Sequence, residues 1–91
     1  MFVGKRIKEL REEKGMVQRQ LAAALEIDSP MYSKIERGER RAKREQVIEL
    51  ARIFEIDVDE LLTLWLAGQI YEIIKDEKVA KATLSFVEMK L

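Results

Sequence analysis

Apolar residues recur at helical spacing along almost the whole of this chain, and no stretch alternates apolar with polar for long enough to form a strand. One proline and four glycines in 91 residues leave no flexible linker, so the expected product is a single small all-α domain. Val3, Ile7 and Leu10 share one face of a first helix of about three turns, with Lys14 in its last turn and Gly15 just past its end. Leu21 and Leu25, separated by three alanines, form a short second helix from about Gln18. Asp28 is a suitable N-cap for a third helix, because Ser29 and Pro30 fall in the first turn, where a missing N–H costs nothing. Tyr32 and Ile35 form its inner face, and Gly38 ends it.

A basic connection, Glu39 to Lys43, leads to a fourth helix expected to bury Val47, Ile48, Leu50, Ala51 and Phe54. Asp57 then caps a fifth helix, with Glu60 at N3 in the manner of a capping box. From Leu64 onward the pattern fits one long helix or two shorter ones. Leu62, Leu66, Ile70, Ile73 and Ile74 make one stripe, and Asp76 is expected to cap a last helix bearing Val79, Ala82, Phe86 and Val87. Gly68 marks either a kink or a close helix approach.

The chain contains neither Cys nor His, which removes thiolate nucleophiles, imidazole bases and N/S-type zinc sites. Its carboxylates, such as Glu9, Glu12 and Glu13 or Asp57, Asp59 and Glu60, have the spacing of helix surfaces and caps. No enzyme activity, metal or cofactor is therefore expected. Leu61 to Ile74, the most apolar stretch, is interrupted by Thr63, Gly68, Gln69 and Glu72, so no membrane association is expected. The first residues lack the apolar segment of a secretory signal, which makes a cytoplasmic location the default. No small-molecule pocket is legible.

The formal net charge is zero, from 17 Lys+Arg against 17 Asp+Glu, yet the charges are segregated. Met1 to Arg44 carries 12 basic and 7 acidic residues, a net of +5, and Glu45 to Leu91 carries 5 and 10, a net of −5. A polyanion responds to the local field, so the first half is the informative one. Its steepest stretch runs from Lys34 to Arg44. Two short helices joined by a tight turn, the second with a polar outer face and a basic loop behind it, fit the major groove of B-form DNA.

The residues Ile7-Lys8-Glu9-Leu10-Arg11-Glu12-Glu13-Lys14-Gly15, Gln18, Leu21-Ala22, Ser33-Lys34-Ile35-Glu36-Arg37-Gly38-Glu39-Arg40 and Asp59-Glu60-Leu61-Leu62 stand in a register similar to that of the Cro/phage-repressor (XRE) type of helix-turn-helix. The resemblance runs from about Val3 to Leu62. It implies a lambda-repressor-like five-helix DNA-binding domain over residues 1–62, followed by a C-terminal helical extension over 63–91. It also implies that Ser29, Pro30 and Lys34 read bases, although Ser29 and Pro30 equally serve as a helix start. Lys34 can donate to guanine O6 and N7. Gln18 matches the family's phosphate-contacting glutamine, and Arg37, Arg40, Arg41, Lys43 and Arg44 follow as phosphate contacts. Arg11 and Glu36 match a pair that joins the first and third helices, and Ala22 matches a small residue at a helix crossing.

The chain departs from this pattern in four places. Val17 replaces a capping Ser or Thr, Glu26 and Glu55 replace glycines, and Tyr32 replaces a branched aliphatic residue, so its hydroxyl needs a partner or an exit to solvent.

Beyond Leu62 the resemblance gives no guide. Trp65, Leu66, Ile70 and Ile73 are expected at the seam of a homodimer, with completion of the monomer core as the alternative for Trp65. The function expected is that of a sequence-specific transcriptional repressor or autoregulator on a palindromic operator in double-stranded DNA. Such a module is similar to the controller proteins of restriction-modification operons. The alternative is an antitoxin or other protein-interaction module with secondary DNA binding.

Overall fold

The computed structural model describes residues 2–91, and among them it has six helices and no strand: α1 (Phe2–Glu13), α2 (Gln18–Ala24), α3 (Ser29–Glu36), α4 (Arg44–Phe54), α5 (Val58–Ile74) and α6 (Ala80–Lys90). The all-α class follows from the apolar periodicity, as expected. Ile7, Leu21, Tyr32, Val47, Leu50, Phe54 and Leu61 are fully enclosed, so each of α1 to α5 sends at least one large side chain into a common core. Ala22 is buried at a helix crossing, as its small size implied. Ile48 is not: it stands 45% exposed, one residue off the face that holds Val47, Leu50, Ala51 and Phe54.

The first four helices end alike. Gly15, Glu26, Gly38 and Glu55 all take positive φ, between 57° and 75°. At each, the next residue's N–H reaches back to close the last turn: Met16 to Arg11 O, Ile27 to Ala22 O, Glu39 to Lys34 O and Ile56 to Ala51 O, at 2.8–3.1 Å. This is the Schellman closure, which favours glycine at the left-handed residue. Glu26 and Glu55 hold that conformation against the clash of a Cβ. Replacing either by glycine is expected to stabilise the domain by up to about 1 kcal/mol, raising the thermal midpoint by roughly 4–8 °C in a circular dichroism melt.

Two helix starts use a device the sequence reading missed. Val17 and Lys43 have no side-chain acceptor, so neither can cap. Instead Gln20 Oε1 accepts from Val17 N and Gln46 Oε1 from Lys43 N, each at 2.8 Å. These are the reciprocal halves of capping boxes whose forward halves are missing. At α5, Asp57 accepts from Asp59 N at 3.0 Å, whereas Glu60 turns to Arg6 at 3.3 Å and closes no box. Asp28 caps α3 as expected, accepting from Met31 N at 2.7 Å.

Of the two options beyond Leu64, the chain takes the second, two helices with a break between them. α5 runs without interruption from Val58 through Gly68 to Ile74, across the expected boundary at Leu62. Gly68 is neither kink nor tight crossing, because a Cβ there would meet only Phe2, at 3.9 Å. Asp76 does not cap α6, whose start at Val79 has no side-chain cap. No residue of α6 is buried, and Leu66, Ile70, Tyr71 and Ile73 of α5 remain exposed. No helix among the described residues is long and apolar enough to cross a membrane.

Candidate nucleic-acid interface

A buried polar cluster holds α3 against α1 and α2. Glu36, with its side chain 2% exposed, accepts from Arg11 Nε at 2.7 Å and Nη2 at 3.2 Å, and from Gln18 Nε2 at 3.0 Å. Arg11 also donates through Nη1 to Met16 O at 3.0 Å, which ties the end of α1 to the same cluster. Burial alone would raise the Glu36 pKa, but Arg11 first, then the neighbouring Tyr32 hydroxyl and the Gln18 amide, outweigh it and hold the carboxyl below its ordinary value. The ion pair expected between the first and third helices is thus present, and it keeps the Glu36 charge away from the outer face of α3.

Tyr32 departs from expectation. Its hydroxyl is buried without an exit to solvent and lies beside the Glu36 carboxylate without a hydrogen bond of regular geometry. Burial first, then the nearby Glu36 carboxylate, pushes the phenol pKa well up and keeps it protonated. Backbone packing adds a second constraint on α3. At Gly4 of α1, a Cβ would lie 2.5 Å from Glu36 O and 2.6 Å from Ile35 O. The close approach of these two helices requires the glycine, and nothing in the local pattern of α1 singles it out.

With Tyr32 and Ile35 locked inward, the outer face of α3 is set. Pro30 and Lys34 are exposed, and Ser29, Met31 and Ser33 are half-buried. The Lys34 ammonium makes no ion pair or hydrogen bond among the described residues. Ser29, Pro30 and Lys34 therefore lie on one helix within two turns, with Pro30 and Lys34 facing solvent and Ser29 half-buried at its start. This geometry permits a shallow edge-on approach to a groove.

The basic residues from Lys34 to Arg44 divide into two groups. Lys34, Arg40 and Lys43 present exposed cations with no hydrogen-bonding partner for their side chains among the described residues. The others are engaged within the chain. Arg37 is clasped by Glu39 at 2.7 Å and 3.3 Å and also reaches Ser33 Oγ. Arg41 donates to Gln69 Oε1 at 3.1 Å, and the Arg44 guanidinium lies 5.8 Å from the centre of the Trp65 ring. The Gln18 amide has already given one N–H to Glu36.

Trp65 explains how the basic connection is held. Its Nε1 donates to Ala42 O at 2.8 Å, and its ring packs on the core. Together with Arg41 and Gln69, this fastens the connection to α5. Leu66, Ile70 and Ile73, by contrast, stand 46%, 46% and 75% exposed. Among the described residues no group of three acidic side chains could hold a metal ion.

Comparison with known proteins agrees with this geometry. The helix-turn-helix family model matches residues 7–61, more than half of the chain. The HTH-type transcriptional regulator DdrOP3 of Deinococcus deserti is 36% identical over 62 residues, which are 68% of this chain and 48% of that protein. The chain thus spans about half the length of the curated relative it matches. No solved structure matches it. The register of α1 to α5, the outward face of α3 and the family match lead to one conclusion: the chain belongs to the Cro/phage-repressor (XRE) type of helix-turn-helix DNA-binding domains.

Proposed function

We propose that the chain is a sequence-specific transcriptional regulator that represses or autoregulates by binding a palindromic operator as a homodimer. The observation that carries this reading is the unpartnered Lys34 on the outer face of α3, flanked by the equally unpartnered Arg40 and Lys43. In this reading Ser29, Pro30 and Lys34 contact base edges, and Arg40 and Lys43 contact phosphates from the free protein's conformation. Arg37, Arg41, Arg44 and Gln18 reach phosphate after exchanging an internal partner for the DNA backbone. The name of the Deinococcus relative supports a regulatory role.

The dimer reading rests on the C-terminal helices. α6 is an 11-residue helix with no buried residue, and such a length is marginal alone in water. Leu66, Ile70 and Ile73 of α5 offer an apolar face for a second copy. Trp65 contributes indirectly, by packing against its own core. One recognition helix reads only a few base pairs, so two half-sites about 34 Å apart are the expected footprint.

Selection of binding sites from random DNA tests the whole reading at once. The expected result is an inverted repeat. Upstream of the chain's own operon, that repeat would mark autoregulation of the restriction-modification controller kind. Lys34→Ala should erase the preference at one position per half-site and cost about 1–3 kcal/mol, whereas Arg40→Ala should weaken all sequences alike and reduce the salt slope by about 1. An unchanged site logo for Lys34→Ala would refute its base-reading role. The exposed apolar α6 favours a second reading, an antitoxin-like module, and failure to enrich any site would support it.

A further inference from the structure

α5 overhangs the core. Beyond Trp65 its core-facing side continues over the basic connection and leaves a groove of about 400 Å³ between them, within the size range of small-molecule sites. Phe2, Ile35 and Trp65 supply apolar surface within it, and the exposed Arg40 and Arg41 belong to the same lining. The acidic residue of the lining, Glu72, is paired with Lys75 Nζ at 3.0 Å, which offsets its repulsion of an anion.

We propose that this groove is an effector site for a small amphipathic carboxylate. The apolar body lies on Phe2, Ile35 and Trp65, and the carboxylate takes the guanidinium groups of Arg40 and Arg41. The position of the head group is marked by the Gln69 amide oxygen, a planar acceptor that already receives Arg41 Nη1 at 3.1 Å. A carboxylate offers the same acceptor geometry with a full charge, and charge-assisted hydrogen bonds are about twice as strong as neutral ones. Arg40 has no competing partner among the described residues. Trp65 Nε1 holds Ala42 O at 2.8 Å, so a ligand on the indole also presses on the connection itself.

The regulatory consequence rests on the DNA-binding reading above. Arg40 and Arg41 are assigned to phosphates, so a bound carboxylate neutralises two cations of the interface. It must lower DNA affinity, and by linkage DNA must lower carboxylate affinity by the same factor.

Trp65 is the one tryptophan of the chain and lines the groove, which makes its fluorescence a direct reporter. Decanoate, kept below its micellar range, should shift Trp65 emission saturably in the DNA-free protein. Decyltrimethylammonium, with the same chain length and the opposite charge, should bind at least about tenfold more weakly. Arg41→Gln should weaken decanoate by about tenfold, the loss of one charge-assisted pair. Gly68→Leu should block the groove while leaving DNA binding unchanged, since Gly68 lies outside the DNA interface and a Cβ there meets only Phe2 at 3.9 Å. Retained helical circular dichroism identifies both variants as folded. No saturable shift, or equal binding of the cationic amphiphile, would overturn the site. Decanoate binding that leaves DNA affinity untouched would overturn the coupling. Failure of the protein to select any DNA would count against the regulator reading alone, because the titration without DNA stands independently of it.

Discussion

Arg11→Met is expected to destabilise the domain by about 3 kcal/mol or more at pH 7, lowering the thermal midpoint by roughly 10–25 °C. The variant leaves the Glu36 carboxylate, 2% exposed, with Gln18 as its remaining donor at 3.0 Å. An unpaired buried charge costs several kcal/mol, a large share of a stability that is about 5–15 kcal/mol for domains in general. The pH dependence carries the signature. In the parent, the folded Glu36 pKa lies below its ordinary value, so the pair's contribution is fully present above the unfolded carboxyl range and fades as pH falls through the folded pKa. In the variant, burial without Arg11 raises that pKa, so its penalty is full above the raised pKa and fades as pH falls from there to the unfolded value. The gap between the two melts should therefore begin to narrow above the ordinary carboxyl range, as the variant's penalty fades, and close only below it, as pH falls through the parent's lowered Glu36 pKa. Arg11→Met combined with Glu36→Leu should recover much of the loss, since an apolar pair leaves no stranded charge. A constant gap between parent and Arg11→Met from pH 7 to pH 4 would show that lost packing, not charge, is the cause.

Gly4→Ala is the second large effect, and it has an internal control. Both Gly4 and Gly68 lie inside helices, where alanine is intrinsically better by about 1 kcal/mol. At Gly68 that gain should appear nearly whole, because the added Cβ would make only an ordinary contact with Phe2 at 3.9 Å. At Gly4 the same atom would lie 2.5 Å and 2.6 Å from two carbonyl oxygens of α3. Backbone cannot rotate aside, so α1 and α3 must separate and the Arg11–Glu36 pair must lengthen with them. The expected net cost is about 2–3 kcal/mol, the range for overpacking a close-packed interior. Chemical denaturation of the two alanine variants side by side should give opposite signs. A stabilised Gly4→Ala would mean that the helices do not cross as described. Because α3 is displaced, Gly4→Ala should also weaken DNA binding in whatever fraction remains folded.

Much of this fold was legible in the residues. Apolar spacing located the helices, Asp28 announced the start of α3, and the family register set Glu26 and Glu55 where glycines stand, at both of which the backbone takes positive φ. Arg11 and Glu36, 25 positions apart, were paired by resemblance and not by any local signal. Where the local reading failed, a competing interaction explains the failure. Ile48 is apolar but lies outside the arc that faces the core, and Glu60 prefers a cation on α1 to its own helix terminus. Asp76 falls in the turn before α6, three residues short of its cap position. Tyr32 is held by packing on all sides even though its hydroxyl goes unsatisfied.

The candidate interface was legible as a list of cations but not as a set of available ones. Composition and register identify Arg37, Arg41 and Arg44 as basic residues beside a recognition helix. Their engagement by Glu39, Gln69 and Trp65 depends on side chains brought near by turns and by the path of α5. The sequence alone determined the helix pattern, the Asp28 and Asp57 caps and the surplus of positive charge before Arg44, because these arise from residues within a few positions of one another. The tertiary structure decided which cations stand free, why Gly4 must lack a side chain, and where a groove opens beneath α5. Those properties belong to contacts between residues distant along the chain, and helical periodicity carries no information about how one helix meets another.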